Sequence, residues 1–299
     1  MDEELFSGLA DLGFNNIEDI DLFKKAEDEA EALDTELITD EDRERSLLYD
    51  REIVCPVCQK KFSIKTIKKS SNKAIKRESD FYVHYNLINP YFYEVLLCNH
   101  CGYAALSTDF AKIRPGQADL VRKKVTPKWQ NKTYPDIYNV NIAIERYKLA
   151  LLNYFFTEDV ASKKAMTCLK IAWMYRLLKD KPNELTFLKQ AIEGFEHAYT
   201  EEKFPFYEMN EFMVQYLIGE MHRRVGNDDK ALSWFGKVIT SFNAKQNIKD
   251  KARDQRDLIL EARQVAEQVQ NMESSAADDA AADTEATKKS GFFSKFFNK

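Results

Sequence analysis

The chain has 299 residues, of which 44% are hydrophobic and 31% are charged, a balance that predicts two modest domains with packed cores and a well-solvated surface. No apolar run approaches the roughly 18 residues that a membrane-spanning helix needs, so no transmembrane segment is expected. The start, Met1-Asp2-Glu3-Glu4, is acidic where a secretory signal would be basic. We therefore expect a cytoplasmic protein.

Charge is distributed unevenly along the chain. Residues 1–50 hold 18 acidic and 4 basic side chains, whereas residues 51–130 hold 15 basic and 6 acidic ones. Within the acidic part, an apolar cluster from Leu5 to Phe23 precedes a stretch from Glu27 to Glu44 that has little apolar surface to bury. We predict that residues 1–50 form an acidic, partly disordered N-terminal segment with a short docking region.

Two short cysteine pairs are the most informative feature of residues 51–130. They are Cys55-Pro56-Val57-Cys58 and Cys98-Asn99-His100-Cys101, and each has the spacing with which two thiolates occupy two vertices of a tetrahedral zinc ion. Strand-like runs flank the pairs, and Gly102 lets the backbone fold back beneath a metal. We predict a zinc module over residues 51–130, with one structural zinc ion per chain bound by Cys55, Cys58, Cys98 and Cys101.

Other interpretations of the cysteines stay open. The 39 residues between the pairs exceed the roughly 15–20 that are usual in zinc ribbons, so either the ribbon carries a large insertion or the pairs perform thiol redox chemistry. His84 lies between the pairs and can replace a cysteine as a ligand, but its aromatic neighbours favour a structural histidine. His100 is expected to face solvent, and Cys168, within a helical pattern, to be a buried thiol.

From about residue 138 the apolar residues recur with a helical period, which predicts an all-α domain over residues 138–270. The apolar faces of the predicted helices lie within 142–151, 166–177, 185–195, 212–222, 231–239 and 248–269. Equal spacings of small and apolar residues, Ala172 to Ala191 and Gly219 to Val238, resemble tetratricopeptide repeats. An irregular helical bundle is the alternative.

The predicted fold class is α+β and multidomain. A small β-rich, zinc-ribbon-like module is followed by an all-α, tetratricopeptide-like array of helical hairpins. After the last helix, residues 271–299 are acidic and alanine-rich and then rich in phenylalanine and lysine, which predicts a disordered linker and tail. The phenylalanines from Phe292 to Phe297 beside lysines are suited to weak peripheral contact with a membrane or to a partner's groove.

The residues around the cysteines resemble a known family. The resemblance rests on both cysteine pairs together with Ser79-Asp80-Phe81, Ile88-Asn89-Pro90 and Tyr93-Glu94-Val95. These motifs are similar to those of uncharacterised bacterial proteins, mostly from Firmicutes, catalogued as domain of unknown function 2225. The resemblance runs from about residue 50 to about residue 240 and implies the same four zinc ligands, with helical hairpins after the zinc module. It implies no activity.

The first functional hypothesis is a non-enzymatic adaptor protein that binds a protein or peptide partner on its helical repeats. Arg176 and Arg223 each follow a small residue by four positions, and Arg224 is adjacent. If these arginines line the groove of the repeats, they favour an acidic ligand or a C-terminal carboxylate. We predict Arg176, Arg223 and Arg224 as partner-binding residues.

Two further hypotheses compete with it. The segment from Lys60 to Arg77 has eight basic residues and no acidic one, and aromatic residues follow it, a combination that can bind nucleic acid. The alternative is a solvated hairpin beside aromatic rings that fill a small core. For an enzyme, the close polar residues Asp80, Tyr85 and Asn89 are a candidate site, but we find no nucleophile–base pair, phosphate loop or paired acids. Thiol redox chemistry or another enzymatic activity stays an alternative. Asp80, Tyr85 and Asn89 are expected to anchor the segment between the pairs by hydrogen bonds.

Overall fold

The computed structural model describes residues 40–68 and 72–293, with side chains for residues 41–68 and 72–270. Most of the predicted acidic segment, as well as Phe296 and Phe297, lies outside the described residues. The chain divides into two compact units, Met1–Asp42 and Arg43–Lys299. Apart from residues 40–42, all the features described below belong to the second unit.

Within the described residues, six strands form three antiparallel hairpins. β1 (Leu48–Val54) pairs with β2 (Lys61–Ile67), β3 (Ala74–Arg77) with β4 (Val83–Tyr85), and β5 (Val95–Leu97) with β6 (Ala104–Leu106). Each cysteine pair lies in a turn, since Val54 is paired with Lys61 across the first hairpin and Leu97 with Ala104 across the third. The predicted strands around the cysteines are confirmed.

Helices make up most of the rest, so the α+β class is confirmed. They are α1 (Asp40–Ser46), α2 (Pro115–Lys124), α3 (Val140–Phe156), α4 (Ala161–Leu177), α5 (Lys181–Glu201), α6 (Glu211–Arg224), α7 (Asp228–Thr240) and α8 (Gln246–Phe293). Side-chain oxygens of Asn139, Asp180 and Asn210 accept backbone N–H bonds at the starts of α3, α5 and α6, which stabilises those first turns. Consecutive helices from α3 to α8 pack against each other.

One hydrophobic core extends through the predicted zinc module and the helices. Tyr82 and Tyr103 of the module belong to the same buried cluster as Tyr147 of α3, Trp173 of α4 and Leu217 of α6. The buried cluster thus takes residues from both predicted domains, 51–130 and 138–270, which lie in one compact unit. The physical reason is size, because a module of about 80 residues has little apolar surface of its own and gains a core by packing on α3 and α4.

α8 is much longer than the helix predicted over 248–269. Its first turns pack on α7, where Ile248, Ala252 and Ile259 are buried in one cluster with Phe235. Its backbone stays helical to Phe293, in a segment for which we predicted a disordered linker. Alanine, frequent between residues 276 and 286, is the strongest helix former and favours this continuation. Among the described helices, none combines the length and apolar character needed to cross a bilayer.

Candidate metal centre

The structure brings the four predicted zinc ligands together. One ligand atom from each of Cys55, Cys58, Cys98 and Cys101 lies within 4.8 Å of the others. The sulfurs of Cys55 and Cys101 are 3.6 Å apart, and those of Cys58 and Cys98 are 3.7 Å apart, whereas a disulfide needs about 2.05 Å. A tetrahedral zinc site with Zn–S bonds of about 2.3 Å has sulfur–sulfur distances of about 3.8 Å. The cluster therefore has the dimensions of a four-cysteine metal site.

The two cysteine turns share one backbone geometry. Gln59 N donates to the Cys55 carbonyl and Gly102 N to the Cys98 carbonyl, both at 2.9 Å. Gln59 and Gly102, each following the second cysteine of its pair, have positive φ angles of 61° and 76°. At Gly102 an added Cβ would lie only 2.7 Å from Cγ of Trp129, so this turn needs glycine for both conformation and space.

Residues 115–129 hold both turns from outside, a role that the sequence analysis missed. Three side chains donate hydrogen bonds to backbone carbonyls in the cysteine turns. The bonds run from Arg122 Nη1 to Val57 (2.5 Å), from Thr126 Oγ1 to Cys101 (3.0 Å) and from Trp129 Nε1 to Asn99 (2.8 Å). Such outer contacts orient metal ligands. Pro115, in the first turn of α2, is a local sequence signal for the start of this helix.

The thiols strongly affect one another's ionisation. Hydrogen bonds with Cys101 and Cys55 lower the pKa of Cys98 to about 2. A hydrogen bond with Cys101 favours the Cys55 thiolate, but the bond with Cys98 and burial outweigh it and raise the pKa of Cys55 to about 12. Hydrogen bonds with Cys55 and Cys98, together with burial, raise the pKa of Cys101. The Cys98 thiolate thus suppresses ionisation of the neighbouring thiols, and a bound divalent cation would allow all four thiols to ionise.

The remaining cysteine and two histidines lie outside the cluster, as predicted. Cys168 is buried on α4 and burial raises its pKa to about 12, which makes it an inert thiol. Nε2 of His84 lies 2.8 Å from Glu78 Oε1. His100 is exposed, with Nε2 at 3.3 Å from the Lys61 carbonyl.

A network of buried charges joins the segment between the cysteine pairs to α4 and α6. The Asp80 carboxylate is fully buried and accepts bonds from Arg176 Nη2 (2.6 Å) and Trp173 Nε1 (3.0 Å). Arg176 also contacts Glu78 at 2.7 Å and Glu184 at 2.8 Å. Asp80 therefore anchors this segment by hydrogen bonds, as the sequence predicted.

The predicted partner-binding arginines are engaged within the chain. Besides Arg176, Arg224 contacts Glu78 at 3.2 Å and Glu220 at 2.7 Å, and Arg223 contacts Glu220 at 2.8 Å. We predicted that these arginines bind an acidic ligand if they line a groove of the repeats. In the structure they pair with carboxylates of the segment between the cysteine pairs and of α6. An acidic ligand would have to displace those carboxylates.

Three of the aromatic residues that follow the basic segment are in the core. Tyr82, Tyr91 and Tyr93 are buried, and the rings of Tyr82 and Tyr91 stack with centroids 5.2 Å apart. Asn89 fixes the turn that carries them, since its side chain donates to the Tyr82 hydroxyl and accepts from Tyr91 N. These rings are therefore not a stacking surface for nucleic-acid bases.

Comparisons with known proteins identify a family for this chain. A family described as uncharacterized protein conserved in bacteria (DUF2225) matches residues 48–259, which contain both cysteine pairs. A curated relative from Borreliella burgdorferi, described as an uncharacterized protein, is 26% identical over 176 residues. The match covers 52% of this chain and 62% of that protein, less than two thirds of its length. No solved structure matches the chain.

Proposed function

We propose that this chain, which belongs to the uncharacterised bacterial family DUF2225, is a non-enzymatic interaction protein whose fold depends on one structural zinc ion. The observation that carries the proposal is the group of four cysteine sulfurs within 4.8 Å. Four thiolates complete a tetrahedral zinc ion and leave no position for a substrate or a reactive water. The metal would then stabilise the fold rather than catalyse a reaction.

The helical part supports a scaffold that presents a binding surface. A Cβ added at Gly194 would lie 2.8 Å from Cβ of Ala165, and one added at Gly219 would lie 2.8 Å from Cε1 of Phe235. Small residues at such close helix contacts are typical of tetratricopeptide-like hairpins, whose stacked repeats bind proteins or peptides. We extend the proposal to such a repeat array and to a protein or peptide partner.

The competing functions have less support. Nucleic-acid binding has the basic segment but loses three of the aromatic residues that follow it, because Tyr82, Tyr91 and Tyr93 are buried. Thiol redox chemistry requires a metal-free cluster with an accessible thiolate, whereas Cys55, Cys98 and Cys101 are buried and only Cys58 is partly exposed. We therefore favour structural zinc over redox chemistry, and an interaction protein over a nucleic-acid binder.

Metal analysis tests the structural part of the proposal. Protein purified without chelator should contain about one zinc ion per chain. The Cys55→Ser, Cys98→Ser double variant should bind no zinc and should no longer show a cooperative unfolding transition. A Cys168→Ala variant is the matched control, since that thiol lies outside the cluster, and it should keep its zinc. Metal-free protein that is fully folded and carries reactive thiols would favour redox chemistry instead.

Cross-linking in cells tests the interaction part. Wild-type chain, expressed at its natural level, is cross-linked and its neighbours are identified with the cross-linked residues by mass spectrometry. We expect a recurring protein partner whose cross-links fall on one surface and disappear with the double cysteine variant. Recovery of RNA or DNA in place of a protein would support nucleic-acid binding, and recovery of neither would contradict an interaction role.

A further inference from the structure

Two adjoining cavities lie along the segment between the cysteine pairs. The first, of about 500 Å³, is bounded by this segment, α4, and the loop 203–210 that precedes α6. The second, of about 400 Å³, is bounded mainly by β2 and the turn at Pro90. Tyr85, Glu94 and Ser107 line both cavities and form their common boundary. Each cavity has the volume of a ligand site, and together they form a groove.

Three strained backbone positions surround the first cavity. Phe81, Tyr207 and Glu208 line it and have positive φ angles of 71°, 47° and 60°. Residues other than glycine seldom adopt this conformation, and those that do cluster at ligand sites. The conformation is held by specific contacts, since the Tyr207 hydroxyl donates to Asp109 Oδ2 at 2.5 Å and the Phe81 ring packs 5.5 Å from that of Tyr216.

The first cavity is suited to an apolar side chain. Its walls include Trp173 together with the methionines Met166, Met209 and Met213. Methionine side chains are flexible and polarisable, so they adapt to aromatic and branched aliphatic groups. The charged pair inside the cavity is already satisfied, because Lys170 contacts Glu94 Oε2 at 2.6 Å.

β2 forms one wall of the second cavity. Four consecutive residues of this strand, 64–67, line the cavity, although successive side chains of a strand point to opposite faces. Four consecutive strand residues can all border one cavity when the strand turns its edge towards that cavity. Within the described residues β2 pairs with β1 alone, and the buried Thr66 Oγ1 has no hydrogen-bond partner there. An open edge of this kind accepts an added strand from a peptide.

Charge indicates what kind of peptide fits. The basic residues of the second cavity are Arg51 and Lys65, against the single acidic Glu94. Lys65 is paired with Asp50 and Asp136, whereas the exposed Arg51 has no carboxylate partner among the described residues. The first cavity carries both signs, with Arg77 and Glu208 at exposed positions. The excess positive charge therefore lies beside the β2 edge.

We propose that this groove binds an extended peptide of a partner protein, with an apolar anchor residue in the first cavity and acidic residues along β2 beside Arg51. The peptide would add to the open edge of β2 by main-chain hydrogen bonds. Its acidic side chains would pair with Arg51, and its anchor would lie against Trp173 and the methionines. This inference rests on the proposed interaction function and specifies the surface and the partner chemistry.

A displayed library of random decapeptides, selected on the full-length zinc-loaded protein, tests the proposal. We expect the selected peptides to share an aromatic or aliphatic anchor next to acidic residues. One selected peptide is then labelled with fluorescein, and its Kd is measured by fluorescence polarisation. An Arg51→Glu variant should weaken binding at least about tenfold, because it places like charges together. Ser107→Trp, at the exposed boundary of the two cavities, should abolish binding by filling the groove.

Lys76→Glu is the matched control. It makes the same charge reversal at an exposed position of β3 that lines neither cavity, so the Kd should stay within about twofold of wild type. Circular dichroism and zinc content of every variant establish that it is folded.

Three results would contradict the proposal that this groove binds an acidic peptide. They are selection of peptides without an acidic residue, no enrichment of any peptide, and equal Kd values for Arg51→Glu and Lys76→Glu. The proposed function would still stand if cellular cross-links mapped to another surface and survived Arg51→Glu. Failure to recover any cellular partner with the wild-type chain would instead contradict the interaction role itself.

Discussion

Arg176 of α4 and Asp80, which lies between the two cysteine pairs, form an ion pair of 2.6 Å in which the carboxylate has no exposed surface. The pair joins residues 96 positions apart, and it fixes the segment between the cysteine pairs to the helices. Removing one partner leaves the other charge buried without compensation, which is more costly than the loss of an exposed pair.

We therefore expect Arg176→Met to lower the free energy of unfolding by about 3–5 kcal/mol. Arg253→Met is the matched control, since its pair with Asp250 on α8 is exposed, and it should change stability by no more than about 1 kcal/mol. Urea unfolding followed by circular dichroism measures both. Equal losses for the two variants would show that the Arg176 network does not stabilise the fold.

The same network predicts a dependence of stability on pH. Burial opposes ionisation of Asp80, but Arg176 and Arg224 outweigh it and hold the pKa of Asp80 below its ordinary value of 3.8. Burial likewise opposes ionisation of Glu78, but His84 and Arg176 lower its pKa below 4.5. A lowered carboxyl pKa adds stability above the unfolded-state pKa, and this contribution is lost as the pH falls through the folded-state pKa.

We expect the free energy of unfolding to fall as the pH drops below about 4.5. A Glu78→Gln, Asp80→Asn double variant should be less stable at neutral pH and should lose less with acid. Urea unfolding across this range measures both slopes. Release of zinc by acid affects both proteins, so the difference between their slopes isolates the two carboxylates. Parallel slopes would exclude them as the source of the acid sensitivity.

Gly102 provides a test of the second cysteine turn. Gly102→Ala forces a residue with a Cβ into φ +76° and places that atom 2.7 Å from Trp129, so a loss of about 2 kcal/mol is expected. Zinc affinity should fall as well. Gly116→Ala is the control, since its Cβ would meet nothing within 4 Å, and it should be neutral or stabilise α2 by up to about 1 kcal/mol. Thermal unfolding with and without a chelator separates the two effects, and an unchanged Gly102→Ala protein would contradict the need for glycine.

Gly219 tests the close packing of α6 on α7. Gly219→Ala places a Cβ 2.8 Å from Phe235, and we expect overpacking to cost about 1–3 kcal/mol. Gly236→Ala, on α7 but with nothing within 4 Å, should be neutral or stabilising because alanine is the better helix former. Chemical unfolding of both variants measures the contrast. Stabilisation by both substitutions would mean that the helices have room to separate here.

The local parts of this structure could be predicted from sequence. Period-2 and period-3.6 patterns gave the strands beside the cysteines and the helices α3 to α7, and the spacing of Cys55 and Cys58 gave one half of the cluster. Contacts over long sequence distances could not be predicted in this way. Nothing near Arg176 in the sequence indicates that Asp80 is its partner, so the arginine looked free to bind a ligand.

Short irregular elements were also missed, for a different reason. Gln59 adopts the same left-handed conformation as Gly102. A glutamine, unlike a glycine, does not indicate this conformation in a sequence. Residues 115–129 support the cysteine turns through side chains that donate to backbone carbonyls. Such bonds require no particular residue spacing, so they become visible only in three dimensions.

The shared core has a consequence for how such proteins can evolve. A cut between residues 130 and 138 would separate Arg146 from the Val95 carbonyl (2.6 Å) and Tyr147 from the Tyr91 carbonyl (2.7 Å). Both side chains are buried, and each half would be left with polar groups that have lost their partners. Recombination that joined either half to an unrelated gene would yield an unstable product. The cysteine-bearing half and the helices should therefore be inherited together, and the family match over residues 48–259 crosses this boundary.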